Sequence, residues 1–144
     1  TERSQHLMSL GIPLNTDSTL KGQTVFLAER CGELMHDDII TDRTILDVMA
    51  FTMNAKSIPY QDKEAFETYA SEFIREYDHI FYISPYGIEI EDNGIRETDE
   101  QYRDLIDSTI TTLINKHGHK AGKINKISGT TEERTLQILH FLQS

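Results

Sequence analysis

Apolar positions repeat with helical spacing in six stretches of the chain and form short continuous runs in three others. The predicted helices are residues 1–10, 23–35, 44–51, 61–77, 100–116 and 130–142. The predicted strands are residues 38–41, 79–84 and 123–128, and the second is apolar enough to be covered on both faces. Strands separated by helices pair in parallel through right-handed crossovers. The pattern therefore predicts an α/β fold with a parallel sheet.

The 144 residues predict a single domain, residues 1–144, that can bury a sizeable core. A three-stranded parallel sheet is small, and the chain opens with a helix, whereas domains of this architecture usually start with a strand. We therefore expect an N-terminal segment that carries at least one more strand to precede Thr1.

Charge and cysteine content narrow the classes of function. The net charge of −10 argues against non-specific binding to nucleic acid or to an anionic membrane surface, since both need positive charge. The single cysteine, Cys31, has no partner for an internal disulfide, which fits a reducing compartment. The sequence shows no run of 18 apolar residues and no charged-then-apolar leader. These features favour a cytoplasmic protein that binds neither nucleic acid nor membranes.

An acid and a base, Asp42 and Arg43, lie between the predicted strand 38–41 and the helix that Thr44 opens. Ligands in open α/β sheets bind at the carboxyl ends of strands, so this placement favours a role in chemistry. The alternative is that Asp42 only caps the helix, because Asp readily accepts from the free N–H groups at a helix start.

Two arginines, Arg96 and Arg103, lie in the loop after the second predicted strand and in the helix that follows. One guanidinium group can bind two phosphate oxygens at once, and it stays charged. Residues 86–104 could therefore form a lid over a phosphate chain. The alternative is that both arginines form surface ion pairs with nearby carboxylates, which contribute little.

A small-residue turn, Ser128-Gly129-Thr130, separates the last predicted strand from the last helix. Glycine has no side chain, so a flat ring could approach the backbone closely there. The turn therefore indicates a pocket for a nucleotide base. The same residues also predict a helix cap that pairs Thr130 or Thr131 with Glu133.

Residues Thr41–Ala50 resemble the D-R-[ST]-x-x-D-x-x-A stretch of P-loop kinases that act on nucleosides, nucleotides and nicotinamide riboside. Three more stretches are similar to segments of these kinases in the same order: residues 1–27 to the part after the first helix, 90–103 to the lid, and 127–134 to the base-binding turn. Across nearly its whole length, the sequence resembles the ATPase/kinase group related to bacterial nicotinamide riboside kinase.

The resemblance implies a three-layer α/β/α P-loop NTPase fold, with the N-terminal strand and its glycine-rich phosphate loop absent from these residues. It also implies an ATP- and Mg²⁺-dependent phosphotransferase whose acceptor is a nucleoside, a nucleoside monophosphate or nicotinamide riboside. The alternative is a nucleotide-binding regulatory module without kinase activity. A homodimer is compatible with either function.

The resemblance also implies a role for each candidate residue. Asp42 would lie beside Mg²⁺ and the acceptor hydroxyl, while Glu2 and Arg43 would contact the acceptor. Arg96 and Arg103 would contact the phosphoryl group that ATP transfers, and the base of ATP would bind at Ser128, Gly129 and Thr130.

Overall fold

Five α-helices and two β-strands form the regular structure in the part of the protein that the structure describes. The computed structural model describes residues 17–84 and 97–143, and only the backbone of residues 97–99. The elements are α1 (Leu20–Glu33), α2 (Ile45–Met53), α3 (Tyr60–Ser71), β1 (His79–Ile83), α4 (Glu97–His117), β2 (Lys123–Ile127) and α5 (Thr131–Leu142). Short 3₁₀ turns follow α3 at Glu72–Glu76 and α4 at Gly118–Lys120.

The chain divides after Ile74 into two compact units. In the first unit, α2 packs against both α1 and α3. Its sequence is almost continuously apolar, and Ile45, Met49 and Ala50 are fully buried. Burial of side chains such as Ile45 and Met49 contributes about 1.5–3 kcal/mol each. The short helix α2 is therefore the centre of the core of this unit.

The second unit contains the sheet. Strands β1 and β2 pair in parallel, with Ile80 opposite Ile124 and Ile83 opposite Ile127. Successive side chains point to opposite faces of a strand. Tyr82 on one face donates a hydrogen bond to Asp107 of α4. On the other face, the centre of the Phe81 ring lies 6.3 Å from the centre of the Phe141 ring of α5. Each face of the two-stranded sheet therefore contacts a different helix.

The structure confirms the predicted α/β class and the parallel pairing, in a mostly helical protein with a small sheet. The predicted strands 79–84 and 123–128 are present within one residue of their predicted ends. The helix predicted at 23–35 begins earlier, at Leu20, and the helix predicted at 61–77 ends at Ser71 in a 3₁₀ turn. The predicted helix 1–10 and most of the predicted lid 86–104 lie outside the described residues.

The predicted strand 38–41 is wrong: these residues are irregular, and the sheet of the described residues has two strands rather than three. Asp38 has a φ of 54°, a left-handed conformation that cannot continue a strand. Ile39 and Ile40, read as buried strand residues, are 40% and 89% exposed. β-branched residues favour strands only where a neighbouring strand packs against them, which explains the error.

Within residues 17–84 and 97–143, no helix combines the length and the hydrophobicity that a membrane span requires.

Candidate functional site

The start of α2 is capped by Thr44 and Asp47. The Thr44 hydroxyl accepts from the Leu46 N–H at 3.0 Å, and the Asp47 carboxylate accepts from the Thr44 N–H at 2.8 Å. This reciprocal arrangement is a capping box. The cap that sequence reasoning offered as the alternative role of Asp42 is thus supplied by other residues. Asp42 lies two residues before the cap and is exposed, so its carboxylate is open to solvent.

Arg43, between Asp42 and the cap, has a strained backbone. Its φ of 76° lies in the left-handed region, which costs a residue with a side chain about 1–2 kcal/mol. The Arg43 C=O accepts from the Thr41 hydroxyl at 2.9 Å, and the guanidinium lies over the Phe51 ring, 5.8 Å from its centre. The cation–π contact contributes about 0.5–1 kcal/mol at an exposed site. The side chain of Arg43 therefore has a defined direction although it is exposed.

The side chain of Arg30 in α1 contacts the same turn. The side chain is largely buried, and its Nη1 donates to the backbone carbonyl of Asp42 at 3.0 Å. The same nitrogen lies 3.1 Å from both carboxylate oxygens of Glu33, one helical turn along α1. A buried guanidinium needs such partners, because an unpaired buried charge is strongly destabilising. The Asp42–Thr44 backbone is thus connected to the adjoining helix by a charged hydrogen bond.

The charges around this turn act on Asp47. Burial raises the pKa of the Asp47 carboxyl above its usual value, and the negative charge of Asp42 adds to that rise. The hydrogen bond from the Thr44 N–H and the positive charges of Arg43 and Arg30 lower the same pKa and oppose the effect of burial. The turn therefore combines two acids and two bases whose charges interact.

The predicted base-binding turn, Ser128–Thr130, follows β2 directly. Gly129 has a φ of 98°, and a side chain there would come within 2.6 Å of the Glu133 carboxylate. The Gln137 side chain accepts from the Ser128 N–H at 3.1 Å and donates to the Ser128 C=O at 2.8 Å. The Thr130 hydroxyl accepts from the Glu133 N–H at 3.1 Å, which confirms Thr130 as the N-cap of α5. The turn is an exposed, hydrogen-bonded loop at the carboxyl end of a parallel strand.

Arg103 lies in α4, one turn before the Asp107 that accepts from the Tyr82 hydroxyl. The Arg103 side chain is half-buried, and its Nε has no hydrogen-bond partner among the residues that the structure describes. Burial, and then the hydrogen bond to Asp107, raises the pKa of the Tyr82 hydroxyl. The first half of α4 therefore holds a partly desolvated cation one turn before a carboxylate that is already hydrogen-bonded.

Asp42 and Arg43 are adjacent in the first unit, whereas Arg103 and residues 128–130 belong to the second. Glu2 and Arg96 lie outside the described residues. Sequence reasoning missed Arg30, although a signal for it was present. Residues 23, 27 and 30 share the buried face of α1, and a charged residue on such a face needs a specific partner.

The turn at residues 42–44 fits Mg²⁺ in one specific way. Within residues 17–84 and 97–143, no group of three or more His, Cys, Asp or Glu side chains could hold a metal ion alone. Mg²⁺ usually keeps several waters and binds one or two carboxylates together with substrate phosphates. The exposed Asp42 carboxylate fits that mode of binding. No protein-family model, curated protein or solved structure matches this sequence.

Proposed function

We propose that this protein is an ATP-dependent phosphotransferase, with a three-layer P-loop fold, that acts on a nucleoside, a nucleoside monophosphate or nicotinamide riboside. The observation that carries the proposal is the Asp42–Arg43 turn. It presents an exposed carboxylate and an exposed guanidinium on a backbone fixed by hydrogen bonds to Arg30, Thr41 and Asp47. Fixed geometry of this kind lowers barriers by holding reacting groups in place.

In the proposed reaction with a nucleoside or nicotinamide riboside, the Asp42 carboxylate accepts the proton of the acceptor hydroxyl; a monophosphate acceptor attacks through a phosphate oxygen instead. The acceptor oxygen forms a bond to the γ-phosphorus of ATP, the bond from that phosphorus to the β–γ bridging oxygen breaks, and ADP leaves. The Arg43 guanidinium binds the acceptor or its phosphate through charged hydrogen bonds. Mg²⁺, when bound, neutralises charge on the phosphates. Positioning and electrostatic stabilisation account for most catalysis in phosphoryl transfer, so few protein groups are required.

The turn Ser128–Thr130 supports the nucleotide part of the proposal. It lies at the carboxyl end of β2, where parallel α/β sheets bind ligands. Gly129 has no side chain, and the Glu133 carboxylate beside it is a hydrogen-bond acceptor for the amino group of a base. Arg103 is proposed to stabilise charge on the phosphoryl group.

Transfer of the γ-phosphoryl group tests the proposal directly. The protein, expressed from its complete reading frame, is mixed with γ-labelled ATP, Mg²⁺ and a panel of nucleosides, their monophosphates and nicotinamide riboside. We expect label to appear in one class of acceptor within a single turnover. Asp42→Asn is the matched control, because it keeps the size of the side chain and removes its charge. Transfer that is equal in both proteins, or absent in the wild type, contradicts the proposal.

The second candidate is a nucleotide-binding regulatory module without kinase activity. It is favoured by the finding that Asp42 does not follow a strand, so its position is not that of a strand-end catalytic residue. Isothermal titration with ATP and Mg²⁺ separates the two functions when it is combined with the transfer assay. Binding without transfer to any acceptor supports the regulatory module.

A further inference from the structure

We propose that Arg30 is a positioning residue that holds the Asp42–Arg43 turn in the conformation needed for transfer. This inference rests on the proposed function, because it concerns the geometry of the same site. It adds a residue from α1 that touches neither the acceptor nor ATP in the proposed reaction.

The hydrogen bonds around the turn occur at three consecutive residues. Arg30 Nη1 donates to the Asp42 C=O at 3.0 Å, the Thr41 hydroxyl donates to the Arg43 C=O at 2.9 Å, and the Thr44 N–H donates to Asp47 at 2.8 Å. Only the first comes from outside the segment 41–47. Arg30 therefore fixes the turn relative to α1, the Thr41–Arg43 bond lies within the turn itself, and the Thr44–Asp47 bond fixes the turn relative to α2.

The strain at Arg43 explains why an external contact is needed. A residue held at a φ of 76° returns to a more favourable conformation unless the surrounding structure prevents it. The Arg30 hydrogen bond acts on the residue immediately before, so its loss frees the peptide group between Asp42 and Arg43. The direction of the Asp42 side chain depends on that peptide group.

The burial of Arg30 fits a positioning role better than a direct one. The residue is 8% exposed, and its guanidinium is already shared between Glu33 and the Asp42 C=O. Asp42 and Arg43, in contrast, are exposed. The buried arginine orients the turn, and the exposed residues contact the ligand.

Arg30→Met removes the hydrogen bond and keeps an unbranched side chain of similar length. We expect kcat to fall about ten- to a hundredfold with KM nearly unchanged, because a small misplacement of a reacting group is that costly. We also expect the NMR order parameters of the Arg43 and Thr44 amides to fall from about 0.85 to below about 0.6. Glu33→Gln is the matched control: it removes the charge from the Arg30 ion pair and keeps the Arg30 donor for Asp42. It should lower the free energy of unfolding, because the buried Arg30 loses its partner charge, but in the folded protein it should leave kcat and both order parameters close to wild type.

Arg30→Lys keeps a positive donor and should fall between wild type and Arg30→Met in both measurements, so it decides the question if the methionine variant does not fold. Order parameters that stay at wild-type values in the folded variants overturn the proposal, whatever happens to kcat. An equal loss of kcat in Glu33→Gln also overturns it, since that loss would reflect the ion pair. A wild-type protein that transfers no phosphate contradicts the proposed function instead, and the order parameters then still decide whether Arg30 orders the turn.

Discussion

Two turns in this protein have the same local design but different residues at the position of greatest constraint. In each, a residue with positive φ stands immediately before a threonine that caps a helix: Arg43 before Thr44, and Gly129 before Thr130. Glycine adopts that conformation without steric cost. Arginine does not, so the first turn keeps a side chain at a position where the backbone alone would favour glycine.

A helix side chain also holds each turn from outside. Arg30 binds the Asp42 C=O, and Gln137 binds both the N–H and the C=O of Ser128. The neutral amide of Gln137 pairs with an exposed, unstrained turn, whereas the buried guanidinium of Arg30 pairs with a strained one. Strained residues persist where surrounding structure maintains them, and they cluster at functional sites. The comparison therefore supports the proposal that side chains act on the ligand in the first turn and that the ligand approaches the backbone closely in the second.

The largest expected effect comes from Asp42→Asn in the first turn. The change removes a proton acceptor and a negative charge, so turnover should fall at least about a hundredfold, as for loss of a general base. The fold should persist, because the carboxylate is exposed and α2 is capped by Thr44 and Asp47, and ATP affinity should persist because the base is proposed to bind at Ser128–Thr130. Single-turnover transfer with circular dichroism and ATP titration measures all three properties. Unchanged turnover would show that the first turn is only a structural link.

The second turn is tested by Gly129→Ala. The new Cβ would come within 2.6 Å of the Glu133 carboxylate, and the residue would keep a φ of 98°. We expect a loss of about 1–2 kcal/mol in the free energy of unfolding, mostly from backbone strain because the Glu133 side chain can move. Urea denaturation measures it.

Gly32→Ala is the matched control for that substitution. A Cβ at Gly32, near the end of α1, would meet no atom within 4 Å. Alanine should therefore stabilise the protein by up to about 1 kcal/mol, the helical advantage of alanine over glycine. If both alanine variants change the free energy of unfolding in the same direction, the effect of Gly129→Ala does not come from the positive φ of Gly129.

Arg43→Gly compared with Arg43→Ala isolates the strain in the first turn. Both variants lose the contact with Phe51, but only glycine is unstrained at a φ of 76°. We expect the glycine variant to be about 1 kcal/mol more stable than the alanine variant. Both should bind the acceptor more weakly than wild type, because each lacks the guanidinium. Equal unfolding free energies for the two variants would mean that the turn relaxes without cost.

The sequence was sufficient to predict the second turn and insufficient for the first. The apolar runs 79–84 and 123–128, with helical patterns on either side, predicted β1, β2 and their parallel pairing. The small residues after β2 predicted the Thr130 cap. These features depend on residues that are close in the sequence, which is where periodicity and capping rules apply.

The environment of Asp42 depends on contacts that local pattern does not encode. Ile39 and Ile40 have strand-forming side chains, but the left-handed conformation of Asp38 prevents a strand. The Arg30 contact joins residues 12 positions apart, across a segment without a regular period. Only the position of Arg30 on the buried face of α1 signalled that it needed a partner, and that signal does not identify which one.

The smallest expected effect concerns Asp47, the acid at the third position of α2. Burial raises the pKa of Asp47 above its usual value of 3.8, so the folded state binds this proton more tightly than the unfolded state. Its contribution to stability is therefore greatest below that value and is lost as pH rises through the higher pKa of the folded state. In Asp47→Asn the side-chain oxygen can still accept from the Thr44 N–H, and the pH dependence disappears. We expect the unfolding free energy of wild type, relative to this variant, to decrease from acid to neutral pH. Urea titrations of both proteins across that range measure the difference, and a constant difference would show that Asp47 ionises equally well in the two states.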